Sequence, residues 1–92
     1  MMIAYADIPT EQPERLMKRL GKHWGHKFPV EAGEQESTIT LPLGICHMSS
    51  TDILRVELRS DEQQMSTFQE VVADHLRRMA SSEQMVIEWQ QS

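Results

Sequence analysis

His23 and His26 stand three residues apart in the segment Lys22-His23-Trp24-Gly25-His26-Lys27. On a continuous helix that spacing puts both imidazoles on one face, and two imidazoles can chelate a divalent metal. A stable site needs a third or fourth ligand, and Cys46, His47 and His75 have matching softness. The ordinary alternative is structural, with His23 hydrogen-bonding beside a core stripe and His75 satisfied by a backbone carbonyl at the core edge. If both helices cover one sheet face, however, His75 approaches His23. A polar pocket between helices is a usual place for a small ligand. Asp74 precedes His75 but points about 100° away on a helix, so it does not orient that ring. Cys46 could serve as a nucleophile only as a thiolate beside a base such as His23 or His75. It also alternates with Met48, and a lone thiol on an apolar strand face is usually inert packing.

A second candidate is electrostatic. Arg15, Lys18, Arg19, Lys22 and Lys27 fall in a stretch that contains no Asp or Glu. The chain has nine basic and fourteen acidic residues, net −5; without these five cations the remainder stands at −10. Arg15, Lys18, Arg19 and Lys22 would form an anion-binding or acidic-partner surface, or simply a solvated face. Trp24 and Phe28 lie close enough to stack on a planar ligand, or to close the core. No Gly-rich phosphate loop, nucleophile elbow or catalytic carboxylate pair occurs.

These residues must be positioned by short elements. Met2 to Ile8 reads as a strand. A helix from about Glu11 to Trp24 follows, capped by Thr10, with Pro13 tolerated in its first turn and Gly25 as a left-handed stop. Its apolar stripe is Leu16, Met17, Leu20 and Trp24. Phe28 to Glu31, Glu36 to Leu41, Ile45 to Ser49 and Ile53 to Leu58 read as antiparallel strands with one wet face. Within the second of these, Ile39 and Leu41 face one way and Thr38 and Thr40 the other. Ser60 and Gln63 have the spacing of a capping box for a second helix. That helix carries Met65, Phe68, Val72, His75, Leu76 and Met79 on one stripe and frays at Ala80-Ser81-Ser82. Met85, Ile87 and Trp89 share one face of a last strand. The expected fold is α+β, a two-layer sandwich with two helices on one face of an antiparallel sheet, in the order β-α-β-β-β-β-α-β.

The chain has 92 residues, which suits one domain over 1–92 with a modest core burying about 60–65% of its unfolded surface. Only five residues are aromatic, and seven methionines replace them as adaptable core filler. One cysteine excludes an intrachain disulfide and the Cys-rich zinc frames. The net charge argues against nucleic acid. No signal peptide or membrane-length apolar run is present, so a cytoplasmic location is expected and no membrane association.

Three segments then carry a resemblance. Lys22-His23-Trp24-Gly25-His26-Lys27, Leu41-Pro42-Leu43-Gly44-Ile45-Cys46 and Val71-Val72-Ala73-Asp74-His75-Leu76, with a terminal Trp89, resemble domain-of-unknown-function family 2218. This is a bacterial family of small uncharacterised proteins. The resemblance spans nearly the whole chain. It implies His23, His26, Lys27, Gly44, Cys46, His75 and Arg78 as shared positions, and an association with siderophore-interacting proteins. Gly21 stands where a Cys often precedes Lys-His in the family, and Met79-Ala80-Ser81-Ser82 replaces a more aromatic ending.

The combined expectation is a small binding or accessory domain in iron or siderophore handling rather than an independent enzyme. His23, His26, Cys46 and His75 would line a pocket, with Lys27 and Arg78 as further ligand contacts. No cofactor is obligatory, a metal being the candidate. The alternatives are a module docking an acidic protein on the basic helix, and a Cys-His enzyme centred on Cys46.

Overall fold

A computed structural model of the chain describes residues 1–80 and 85–91. The elements are β1 (Met2–Ile8), α1 (Pro13–Gly25), β2 (Val30–Ala32), β3 (Glu36–Leu41), β4 (Gly44–Ser50), β5 (Leu54–Ser60), α2 (Met65–Met79) and β6 (Gln90–Gln91). The strands form one sheet in the order β2-β3-β4-β5-β1-β6, and every pairing is antiparallel. Both helices pack on one face, giving the expected two-layer α+β sandwich.

Register explains which residues face the helices. Ala4, Leu58, Cys46 and Ile39 lie side by side across β1, β5, β4 and β3. The next inward row is Ala6, Val56, Met48 and Ser37. Leu16, Met17, Leu20 and Trp24 from α1 join Met65, Phe68, Val72 and Leu76 from α2 over these rows. The alanines of β1 leave room for these larger side chains, so one modest core is densely filled. Gly44 has φ +151°, and a Cβ there would land on the Arg59 carbonyl oxygen and crowd the Phe68 ring. A glycine is therefore required where the β3–β4 turn enters the core.

The opposite sheet face is polar and self-paired. Arg55 meets Asp7 at 2.9 Å and stacks over the Tyr5 ring at 4.7 Å. A 2.8 Å hydrogen bond joins His47 Nδ1 and Thr38 Oγ1, and Glu36 lies 3.4 Å from His47 Nε2. These charges keep the uncovered face wet, as expected for a sheet packed on one side only.

Four local expectations are corrected. First, α1 begins at Pro13 after Gln12, not under a Thr10 cap; Thr10 Oγ1 instead accepts from the Gln12 N–H at 3.2 Å. Second, Gly25 is not left-handed. His26 remains right-handed, and the N–H groups of Lys27 and Phe28 both donate to the Trp24 carbonyl, closing the helix before Pro29. Third, the Ser60 hydroxyl donates to the Leu43 carbonyl, while Asp61 Oδ1 accepts from the Gln64 N–H ahead of α2. The caps shift because a neighbouring acceptor competes for the serine. Fourth, residues 85–89 form no strand, and pairing is confined to Gln90–Gln91. The alternation is real, since Met85 is buried and Val86 is 62% exposed, but it seats side chains on the core without a ladder. Ser81 and Ser82, where fraying was expected, lie outside the described residues.

Candidate functional site

The last turns of α1 and α2 bring three rings together. The His23 and His75 ring centroids are 5.4 Å apart, Trp24 and His75 are 5.0 Å apart, and His23 and Trp24 are 6.5 Å apart. The stripe of α1 carries Trp24 into the core at 7% exposure, while its sequence neighbour His23 stays exposed. Residue 75 lies one position before Leu76 on α2, at the margin of that helix's buried stripe, and is half-buried. Two helices on one sheet face thus place an exposed imidazole, a half-buried imidazole and an indole in one seam.

His75 Nδ1 lies 2.8 Å from the Val71 carbonyl oxygen. A carbonyl only accepts, so Nδ1 carries the proton and the lone pair of the neutral ring is on Nε2. The seam is also clamped from the basic helix: an Arg19 Nη1 N–H donates to the Met79 carbonyl at 3.1 Å. A guanidinium there satisfies an end carbonyl of α2 and sits at the negative end of its dipole.

Other expected site residues go elsewhere. His26 is exposed at the end of α1, and its side chain has no ring or hydrogen-bond partner among the described residues. His47 alternates with Cys46 along β4 and therefore faces the helix-free side, away from the seam. Arg78 pairs with Asp74 at 3.1 Å on the outer side of α2. Among the described residues, no group of three or more His, Cys, Asp or Glu side chains could hold a metal ion. Of the candidate metal set His23, His26, Cys46 and His75, only the His23 and His75 rings come together, while His26 is exposed at the end of α1 and Cys46 is buried in the core.

Cys46 is 0% exposed, and burial pushes its thiol up to about 12. Desolvation disfavours the thiolate, so the residue is a core filler. A nucleophilic cysteine needs the opposite shift, so this burial counts against a Cys-His centre at Cys46.

The basic helix face is partly engaged. Lys18 pairs with Glu14 at 2.8 Å, Arg15 donates to Gln12 Oε1 at 3.3 Å, and Arg19 is bound to α2. Lys22 and Lys27 are exposed and make no ion pair among the described residues. Arg19 as a helix-to-helix clamp was not foreseen, since a charge run carries no signal of which member reaches a distant carbonyl.

No described helix is long and apolar enough to cross a membrane. No curated protein matches the chain. The NMR structure of PA4090 from Pseudomonas aeruginosa is similar, with a TM-score of 0.81 and 39% identity over 98% of this chain and 96% of that one. Residues 5–90 match the model of a family described as uncharacterized protein conserved in bacteria (DUF2218). The chain belongs to this family of uncharacterised bacterial proteins.

Proposed function

We propose that this protein is a small-ligand binding or accessory domain whose ligand seats at the α1–α2 seam. The observation that carries this reading is the meeting of His23, Trp24 and His75 from two helices. Concave seams between helices that combine apolar surface with a few polar atoms are usual ligand sites. Here the polar atoms are the His23 ring and His75 Nε2, and the exposed Lys27 supplies a nearby positive charge.

Two imidazoles with no third donor group among the described residues favour a ligand that arrives with its own donor atoms. A ferric chelate has that character, and it joins this reading to the iron and siderophore handling implied by the family resemblance. His75 Nε2, which carries its lone pair, would accept from an N–H or O–H group of the chelate, and the rings would meet its flat faces rather than cage the metal.

The test is an amide NMR titration with a gallium(III) hydroxamate chelate, a diamagnetic stand-in for the ferric form. Shifts should fall on residues 22–27 and 71–78 and vanish in the His23→Ala, His75→Ala double variant. A folded double variant that binds as the wild type does would rule the seam out.

A second reading has support from Lys22 and Lys27. An acidic protein partner docking on the basic helix would bind through exposed charges, and its affinity would fall steeply with salt. A flat salt response would count against it.

A further inference from the structure

On the other flank of α1, away from α2, the helix leaves a cleft against β2 and β3 of about 230 Å³. Met17, Val30 and Ala32 form its apolar walls, and Lys18 and Lys22 stand at its rim. Ser37 lies in the inward row of β3, opposite Ala32 on β2 and Met48 on β4. It is 3% exposed, and its Oγ has no hydrogen-bond partner among the described residues. A buried hydroxyl without a partner is uncommon in a native protein and calls for a physical reason.

Gly21 supplies the second observation. It sits inside α1, where glycine is less favourable than alanine, and its φ is not positive. A Cβ there would meet Ser37 Oγ at 3.4 Å and Val30 Cγ1 at 3.7 Å, which is ordinary contact. Packing therefore does not demand glycine. What the buried glycine does is leave a methyl-sized gap beside the serine hydroxyl.

We infer that this cleft is a binding site for a small hydroxy-carboxylate with an apolar midsection. The carboxylate would meet Lys22 at the rim, since Lys18 is already paired with Glu14. The midsection would lie between Met17, Val30 and Ala32. The distal hydroxyl would occupy the methyl-sized gap that Gly21 leaves beside Ser37 Oγ. This site is separate from the His seam and does not depend on it.

The experiment uses 4-hydroxybenzoate and 6-hydroxyhexanoate, with benzoate as the control that lacks the distal hydroxyl, followed by amide NMR. Ligands of about ten non-hydrogen atoms reach only modest affinity, so titration runs to about 10 mM. Shifts should centre on Met17, Gly21, Ala32 and Ser37, with 4-hydroxybenzoate bound about three- to tenfold tighter than benzoate. Ser37→Ala should abolish that preference and leave benzoate unchanged. Gly21→Ala, which the backbone accommodates, should weaken 4-hydroxybenzoate at least as much as Ser37→Ala does. Lys22→Gln should weaken both aromatic acids, and His23→Ala neither. No binding of either hydroxy acid, shifts centred on the His seam, or a hydroxyl preference that survives Ser37→Ala in a folded protein would each overturn the inference.

Discussion

The two flanks of α1 are finished in opposite ways. Toward α2 the seam is filled by Trp24, His23 and His75, tied down by the Val71 and Met79 carbonyls. Toward β2 and β3 the same helix presents Gly21 over a buried Ser37 whose hydroxyl has no partner among the described residues. A chain this small has little apolar surface to spare, so a wall left open beside a dense core is informative. The first flank offers ring faces and imidazole nitrogens to a ligand at the surface. The second offers a narrow recess with one hydroxyl at its floor. A single helix thus separates two recognition chemistries.

The contrast can be broken most severely at Trp24. Trp24→Ala removes the buried ring of the seam and is expected to cost about 3–5 kcal/mol in urea denaturation. A cost below about 1 kcal/mol would mean the seam is not part of the core.

Alkaline stability probes β4, against which α1 packs. The Cys46 thiol lies at about 12 when folded, against 9.0 for the unperturbed group. Between those values the unfolded state ionises while the folded state does not. The stabilising difference is thus whole below pH 9 and declines as pH rises toward 12, by up to about 1.4 kcal/mol per pH unit. Cys46→Ala should flatten that part of the profile in parallel denaturation series. The native thiol should also resist a disulfide reagent until the protein unfolds.

Gly21→Ala sharpens the comparison in the other direction. It is expected to stabilise by about 0.5–1 kcal/mol, because a helix interior favours alanine and the Cβ fits. A loss of stability would show that the open flank is closed by packing. Similar in size and opposite in sign is Arg19→Ala, expected to cost about 0.5–1 kcal/mol through the lost hydrogen bond to Met79. Unfolding midpoints measured at low and high salt would show that this cost survives screening.

Apolar periodicity made the fold legible. Leu16, Met17, Leu20 and Trp24 mark α1, and the order of eight elements follows from such stripes and their breakers. Caps were less legible, because Ser60 and Asp61 are adjacent polar residues and only tertiary structure brings Leu43 within reach of the serine. The approach of His23 and His75 followed from both helices sharing a face. The failure of His26 and Cys46 to join them depended on where α1 ends and on how deeply the core buries Cys46. Ser37 was visible in phase with Ile39 and Leu41, and Gly21 interrupts a helix stripe. Neither position suggests a ligand until the hydroxyl is seen to be buried beneath the glycine.

The most direct test of two separate sites is one amide NMR experiment with both ligand classes added in turn. The account predicts two non-overlapping sets of shifts. The gallium chelate should move residues 22–27 and 71–78, and 4-hydroxybenzoate should move Met17, Gly21, Ala32 and Ser37. Saturating one set should leave the other ligand's affinity unchanged. A single shared set of shifted amides, or competition between the two ligands, would contradict it.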